Sequence, residues 1–258
     1  MHQLIILGNG FDLTCGLKSK FSDFYSNRTN GTSSIESISK GERNVWDVIL
    51  SEIEQNDPLW CNIESLISAY VLQEDEWGSR LDRMYGQLMW AIDPSNQNQS
   101  EHPNNAVYDY ASTCLGKEYI SQEELTGFLL SSLKDYEYIF ASYLEEQVKK
   151  DDNYREKAHA NFATIRDDCI KNSQQLEYDS SVLNFNYTDP FKSEELGLGI
   201  VGARNVHGTL DRTDIIFGID GKDVAEDDPA VPFTKTYRLM SLVPYESETV
   251  KLCDSDTS

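Results

Sequence analysis

The chain opens on a short, branched apolar run from Gln3 to Leu7 with no polar alternation. Such a run suits a strand buried on both faces, as in a parallel sheet. It passes directly into Gly8-Asn9-Gly10, a glycine turn of the kind that ends a strand. From about Asn27 to Ser34 the pattern turns polar and reads as a loop. Helical spacing follows in Trp46, Ile49, Leu50 and Ile53, and again in Ile63, Leu66, Ile67 and Tyr70. A second polar break, Asp93 to Asn105, contains Pro94 and Pro103. The clearest helix spans Gln122 to Val148, where Leu125, Phe128, Leu129, Leu133, Tyr136, Phe140, Tyr143, Leu144 and Val148 form one stripe. Asp151-Asp152-Asn153 then supplies a cap for a further helix, about Tyr154 to Leu176.

After Tyr178 the pattern switches to short apolar runs. Val182-Leu183 leads into Asn184-Phe185-Asn186-Tyr187-Thr188, Gly199 to His207 contains a second candidate strand, and Ile215-Ile216-Phe217 a third. Each run ends in polar or glycine residues, as strands do when their C-terminal ends converge, and there open α/β sheets bind ligands. The architecture expected is a single domain over residues 1–258. Residues 1–30 and 178–258 form a nucleotide-binding α/β core with a mostly parallel sheet, and residues 31–177 a large helical insertion. No internal repeat or low-complexity segment interrupts this reading.

Charge narrows the ligand. Lys and Arg total 22 and Asp and Glu 44, a formal net charge of −22. A phosphate backbone is repelled by such a surface, which argues against broad nucleic-acid binding. A small anion remains compatible, because a loop of backbone N–H groups offers local positive potential. Leu4 to Leu7 is the longest aliphatic run, far below the roughly 20 apolar residues of a membrane helix. It also lacks the cationic lead-in of a signal peptide. Cys15, Cys61, Cys114, Cys169 and Cys253 show no C-x-x-C spacing, so no structural zinc or other metal site is expected. Unpaired thiols without a secretion signal fit a reducing cytoplasm.

Four motifs carry candidate chemistry. Gly8 and Gly10 follow the first strand and let backbone approach a ligand phosphate. Leu13 stands where the dinucleotide fingerprint requires glycine, so that fingerprint fails, and a Gly-x-Gly after a strand is, taken alone, more often a plain tight turn. Asp12 behind the loop repels phosphate, and is expected to cap a helix or hold a ribose hydroxyl. Asn184 to Asp189 places amides and a hydroxyl at a strand end, suited to sugar hydroxyls or water, or to a polar turn closed by Pro190. His207, beside Gly208, is the one histidine of four at a candidate strand end. Histidine suits proton transfer near neutral pH, although a lone one is more often structural. In Trp60-Cys61-Asn62-Ile63-Glu64, Trp60 and Ile63 read as a core face, and Glu64 as a cap, a cation partner or a pocket residue, with structure the safer reading.

Taken together, "LIILGNGFDLTCGL", "FSDFY", "WCNIE", "LNFNYTDP", "NVHGTL" and "IIFGID" resemble the bacteriophage abortive-infection AbiH family, in family order from residue 4 to about 220. That resemblance implies a role in halting phage at the expense of the infected cell. A more distant similarity, to sirtuins and sirtuin-like defence proteins, implies chemistry and a Rossmann-like fold. It rests on Gly8-Asn9-Gly10, Gly16-Leu17, Asn186-Tyr187-Thr188 and His207-Gly208 in that order. By this similarity Gly8, Gly10 and Gly16 hold the pyrophosphate region of NAD, with Asn9, Phe11, Asp12, Thr188 and Gly208 completing the binding set. Asn186 takes the place of the catalytic asparagine and His207 that of the catalytic histidine. Phe11-Asp12 replaces the usual small polar residues, Lys18 a proline and Thr188 an aspartate. The sirtuin zinc-ribbon cysteines are missing, which argues against deacetylation but not against NAD cleavage. Ending soon after Lys251, the chain is short for the family and leaves room for a missing C-terminal portion.

The similarity therefore implies NAD as substrate, cleaved at the nicotinamide–ribose bond. Asn186 would orient ribose or water, His207 would take a proton, and Asp12 or Asp189 would stabilise positive charge. The helical insertion would serve as a lid or as the surface that senses a phage-derived protein. Two other readings stand beside this one: a non-catalytic nucleotide-binding sensor, and a metal-dependent nuclease or phosphohydrolase.

Overall fold

The computed structural model describes residues 2–32, 34–51, 62–71, 106–171, 179–191, 199–210, 214–222 and 224–241. Three strands form its sheet: β1 (His2–Leu7), β2 (Asp179–Asn184) and β3 (Ile200–Asn205), in the order β1-β2-β3. Both pairings are parallel. Leu7 lies opposite Asn184 and Asn184 opposite Asn205, so the two ends of the chain meet in one sheet. The pairing runs one step past the strands, with Phe185 N–H donating to Leu7 O and Val206 N–H to Asn184 O, both at 2.8 Å. The protein is thus a mixed α/β fold with a small parallel sheet among many helices.

β1 is parallel as expected but is not buried on both faces. Ile5 and Leu7 are buried, whereas Leu4 and Ile6 are 60% and 62% exposed. Period-two geometry sends alternate side chains to opposite faces, and only the Ile5/Leu7 face is packed. That face, with Val182, meets α1 (Gly10–Thr14) and α7 (Tyr154–Lys171) in a small core of Ile5, Leu7, Phe11, Cys15, Leu17, Tyr154, Ala158, Phe162, Val182 and Phe191. The ring of Phe191 lies 6.0 Å from Phe11 and 4.9 Å from Phe162.

A larger core lies among the helices: α2 (Phe21–Arg28), α3 (Val45–Ser51), α4 (Ile63–Val71), α5 (Ala106–Leu115) and α6 (Gln122–Lys150). The stripe predicted for α6 is buried at Leu125, Leu129, Leu133, Tyr136, Phe140, Tyr143 and Leu144. Its start is set by a capping box, in which Ser121 Oγ accepts from Glu124 N–H and the Glu124 carboxylate from Ser121 N–H. Lys149 and Lys150 in the last turn complement the negative end of the helix dipole. This core also takes in Leu210, Ile215, Phe217, Ile219 and Phe233 from the C-terminal part. The helical part and the C-terminal part therefore share one packed interior.

The run Ile215-Ile216-Phe217 is buried but is not the strand its composition predicts. Among the described residues, the pairing near it is an isolated bridge, Ile219 to Thr234. Its backbone donors are taken elsewhere: Ile216 N–H by His207 O at 3.2 Å and Phe217 N–H by the Glu137 carboxylate at 2.5 Å. Arg238, on α8 (Lys235–Ser241), closes the same knot through Glu137 and Phe217 O. Ile53, Trp60, Cys61, the Asp93–Asn105 break and residues 172–176 of the expected helix lie outside the described residues. Among the described residues, no helix is long and apolar enough to cross a membrane.

Candidate functional site

The in-register pairing places three motifs at one edge, because each follows directly on a strand. Gly8-Asn9-Gly10 continues β1, Phe185 to Thr188 continues β2, and Val206-His207-Gly208 continues β3. With strands about 4.8 Å apart, the first and third motifs are separated by roughly 10 Å.

Gly8 and Gly10 are exposed, and a Cβ built on either would meet nothing within 4 Å. The loop is open to an incoming ligand. Asn9 is held from behind, its Oδ1 accepting from Ser19 Oγ at 2.9 Å. Phe11 turns away into the small core beside Phe191. Gly16 has φ +87° and terminates α1, with Gly16 N–H donating to Leu13 O and Leu17 N–H to Asp12 O. That is the paired bonding of a Schellman stop, which a left-handed residue makes and glycine adopts without strain.

Asp12 is buried, at 2% exposure. Its carboxylate accepts from Thr188 Oγ1 at 2.8 Å and from the Tyr154 hydroxyl at 2.8 Å, tying the β1 end to the β2 end and to α7. Burial raises its pKa above the ordinary 3.8, and the two hydroxyl bonds counteract only part of that. The folded state therefore holds the Asp12 proton more tightly than the unfolded state. Stability from this group is full below 3.8 and is lost as pH rises through the folded-state value. Asp12→Asn has no proton to lose and is expected to remove that slope in denaturation curves taken over a pH series. A slope unchanged in the variant would assign it to another group.

Three asparagines set the far side. Asn184 Nδ2 donates to Thr188 O at 2.7 Å and to Asn205 Oδ1 at 3.2 Å, which fixes the orientation of the Asn184 amide. Its Oδ1 accepts from Asn186 N–H at 3.1 Å and Asn186 Nδ2 at 2.8 Å. Asn205 Nδ2 donates to Thr188 O at 3.0 Å. With its nitrogen committed to Asn184, Asn186 must present its oxygen elsewhere. That oxygen is buried and accepts no hydrogen bond from the described residues. Such orphans are uncommon in native proteins and each calls for an explanation.

The His207 ring rests edge-on against Phe185, at 5.4 Å and 86°, and lies 6.2 Å from the Tyr187 ring. These two residues flank Asn186 in the chain. Partial burial lowers the His207 pKa, helped by the Lys235 ammonium and opposed by the Glu64 carboxylate, so the ring is neutral at neutral pH. Gly208 has φ +85°, and a Cβ there would lie 2.2 Å from Asp214 O. Glycine at this position lets the chain turn tightly after the histidine.

A family model described as "Bacteriophage abortive infection AbiH" matches residues 4–257.

The chain belongs to the AbiH family.

Membership places it among proteins of phage abortive infection. No curated protein and no solved structure matches it. In this AbiH chain the sheet brings the glycine loop, Thr188, Asn186 and His207 to one edge. Phe11 and Gly16 have local structural duties, and Asp12 lies behind the edge as a brace. Sequence reading passed over Asn184 and Asn205 as supports of Asn186, although both sit inside motifs it singled out. Tyr154 gave no signal at all, because it reaches Asp12 from a helix 142 positions away.

Proposed function

We propose that this AbiH protein hydrolyses NAD at the nicotinamide–ribose bond, on a strand-end site of Rossmann-like, sirtuin-like kind. The observation that carries the reading is the buried Oδ1 of Asn186, which has no hydrogen-bond partner among the described residues. An acceptor that no described residue supplies with a donor is suited to a donor that arrives with the substrate, such as a ribose hydroxyl or the attacking water. A neutral His207 at the neighbouring strand end supports it further. Cleavage breaks the C–N bond and leaves oxocarbenium character on the ribose. Water adds to that carbon, His207 takes the water's proton, and nicotinamide and ADP-ribose leave. The open Gly8–Gly10 backbone supplies the surface for the pyrophosphate. Loss of NAD would halt phage growth without contact between this acidic protein and DNA.

Product analysis tests the reading, with purified protein and with infected cells carrying a phage trigger. The wild type is expected to release nicotinamide and ADP-ribose. His207→Ala should lower the rate by about a hundred- to ten-thousand-fold, the worth of a well-placed base. Thermal stabilisation by NAD without any product would instead make the protein a nucleotide sensor. Magnesium-dependent phosphate or nucleotide products would make it a phosphohydrolase.

A further inference from the structure

We propose that Asn184 is the positioning residue that sets the polarity of the site. By fixing which end of the Asn186 amide is free for the ligand, it admits a hydroxyl or water there and refuses a phosphate or carbonyl oxygen. The inference rests on the NAD-cleaving reading above. Asn184 closes β2 and is buried, and its side-chain amide is fully used. Nδ2 donates to Thr188 O at 2.7 Å and to Asn205 Oδ1 at 3.2 Å. Oδ1 accepts from Asn186 N–H at 3.1 Å and from Asn186 Nδ2 at 2.8 Å. A side-chain amide offers two hydrogens and two lone pairs, so none is left for a ligand. Asn184 therefore acts through the group it holds.

Backbone groups make this orientation one-way. Thr188 O can only accept and Asn186 N–H can only donate, and both are bonded to the Asn184 amide. Turning that amide over would set oxygen against oxygen at Thr188 and N–H against N–H at Asn186. With Asn184 Oδ1 so fixed, turning Asn186 over would set its oxygen against that of Asn184. Thr188 is anchored in turn, its Oγ1 donating to Asp12 at 2.8 Å and its carbonyl also accepting from Asn205 Nδ2 at 3.0 Å. The Asn186 oxygen, buried and without a donor among the described residues, is thereby held as an acceptor. In NAD the sugars carry hydroxyl donors, whereas ionised phosphate oxygens only accept. The β2 end is thus assigned to the ribose, and the pyrophosphate is left to the glycine loop on the neighbouring β1.

The test compares Asn184→Ala and Asn184→Asp with the wild type in NAD turnover, each assayed well below its own melting temperature, with urea denaturation on the same samples. Alanine gives up both halves of the amide. Aspartate keeps the oxygen that holds Asn186 and gives up the donor to Thr188 O. Asn184→Ala is expected to lower kcat by about a hundredfold, the cost of misplacing a reacting group by about 1 Å. Asn184→Asp is expected to stay within about tenfold of wild type in kcat although its stability falls, because a second acceptor then faces Thr188 O. In the Asn186→Ala background, Asn184→Ala should cost less than about threefold more, since the group it acts through is gone. A kcat that follows stability through both variants makes Asn184 a framework residue and overturns the assignment. The full hundredfold loss repeated on top of Asn186→Ala overturns it as well, and either result leaves the NAD reading standing. Should Asn184→Ala fail to fold, Asn184→Asp decides alone, and a hundredfold loss of kcat in it is the overturning result. A wild type that releases no nicotinamide under any condition overturns both.

Discussion

Asn186→Ala is expected to cut NAD turnover by about two to four orders of magnitude while leaving the fold within about 1 kcal/mol of wild type. The two effects separate because of how the side chain is bonded. Its Oδ1 accepts no hydrogen bond from the described residues, so deleting it removes a buried, unsatisfied acceptor rather than a stabilising contact. Its Nδ2 donates to Asn184 Oδ1, but that oxygen keeps the Asn186 backbone N–H after the substitution. The loss in the resting protein is therefore one hydrogen bond, partly offset by removal of the orphan. In the reacting complex the same oxygen would hold the ribose hydroxyl or water, and misplacing either disrupts the chemistry. Steady-state turnover and urea denaturation on the same sample check the pair of outcomes. A drop of 3 kcal/mol or more in stability, on the scale of about 1–3 kcal/mol for a stranded buried group, would make Asn186 a framework residue.

Asp47→Ala is expected to destabilise the protein by about 3–5 kcal/mol, out of a total of about 5–15 kcal/mol for a typical domain. Asp47 is fully buried in α3 and collects four donors. Arg28 Nε and Nη2 approach at 2.7 and 2.6 Å, Tyr136 OH at 3.0 Å and Asn44 N–H at 2.8 Å. Arg28 is also stacked near the Tyr136 ring, 5.6 Å from its centroid. Removing the carboxylate leaves a nearly buried guanidinium with Glu42 O as an acceptor among the described residues, together with stranded donors on Tyr136 and Asn44. Burying an uncompensated charge is what makes the loss large, not the worth of the pair itself. A double variant, Arg28→Met with Asp47→Leu, should accordingly recover most of the stability. Chemical denaturation measures both, and a single variant within 1 kcal/mol of wild type would contradict the account.

Much of the fold could be read from short-range pattern. The Leu4–Leu7 run, the α6 stripe with Ser121 and Glu124 before it, and the polar turns after Leu7, Asn184 and Asn205 each depend on neighbours a few residues away. The reading of Ile215-Ile216-Phe217 as a strand failed for a related reason. Composition makes a segment apolar, but only a partner strand makes it a strand, and here Glu137 and His207 take its donors. Likewise the full burial expected of β1 depended on a second covering layer, and Leu4 and Ile6 lie exposed. For the candidate site, Asn186 and His207 were visible because each closes an apolar run with a chemically capable side chain. Glu64 reads as a cap, a cation partner or a pocket residue, and the structure pairs it with a cation, Lys235, which nothing within ten residues of it identifies.

Family membership, the α/β class and the identity of the strand-end motifs followed from residue order alone, because spacing, caps and glycine turns act over one or two turns of chain. Folding decided the rest: which acid braces the sheet, which cation meets Glu64, and which amide oxygen finds no donor among the described residues. Those outcomes come from pairings across a hundred or more positions. They are selected by which polar groups are buried together, a property of the packed molecule rather than of any segment in it.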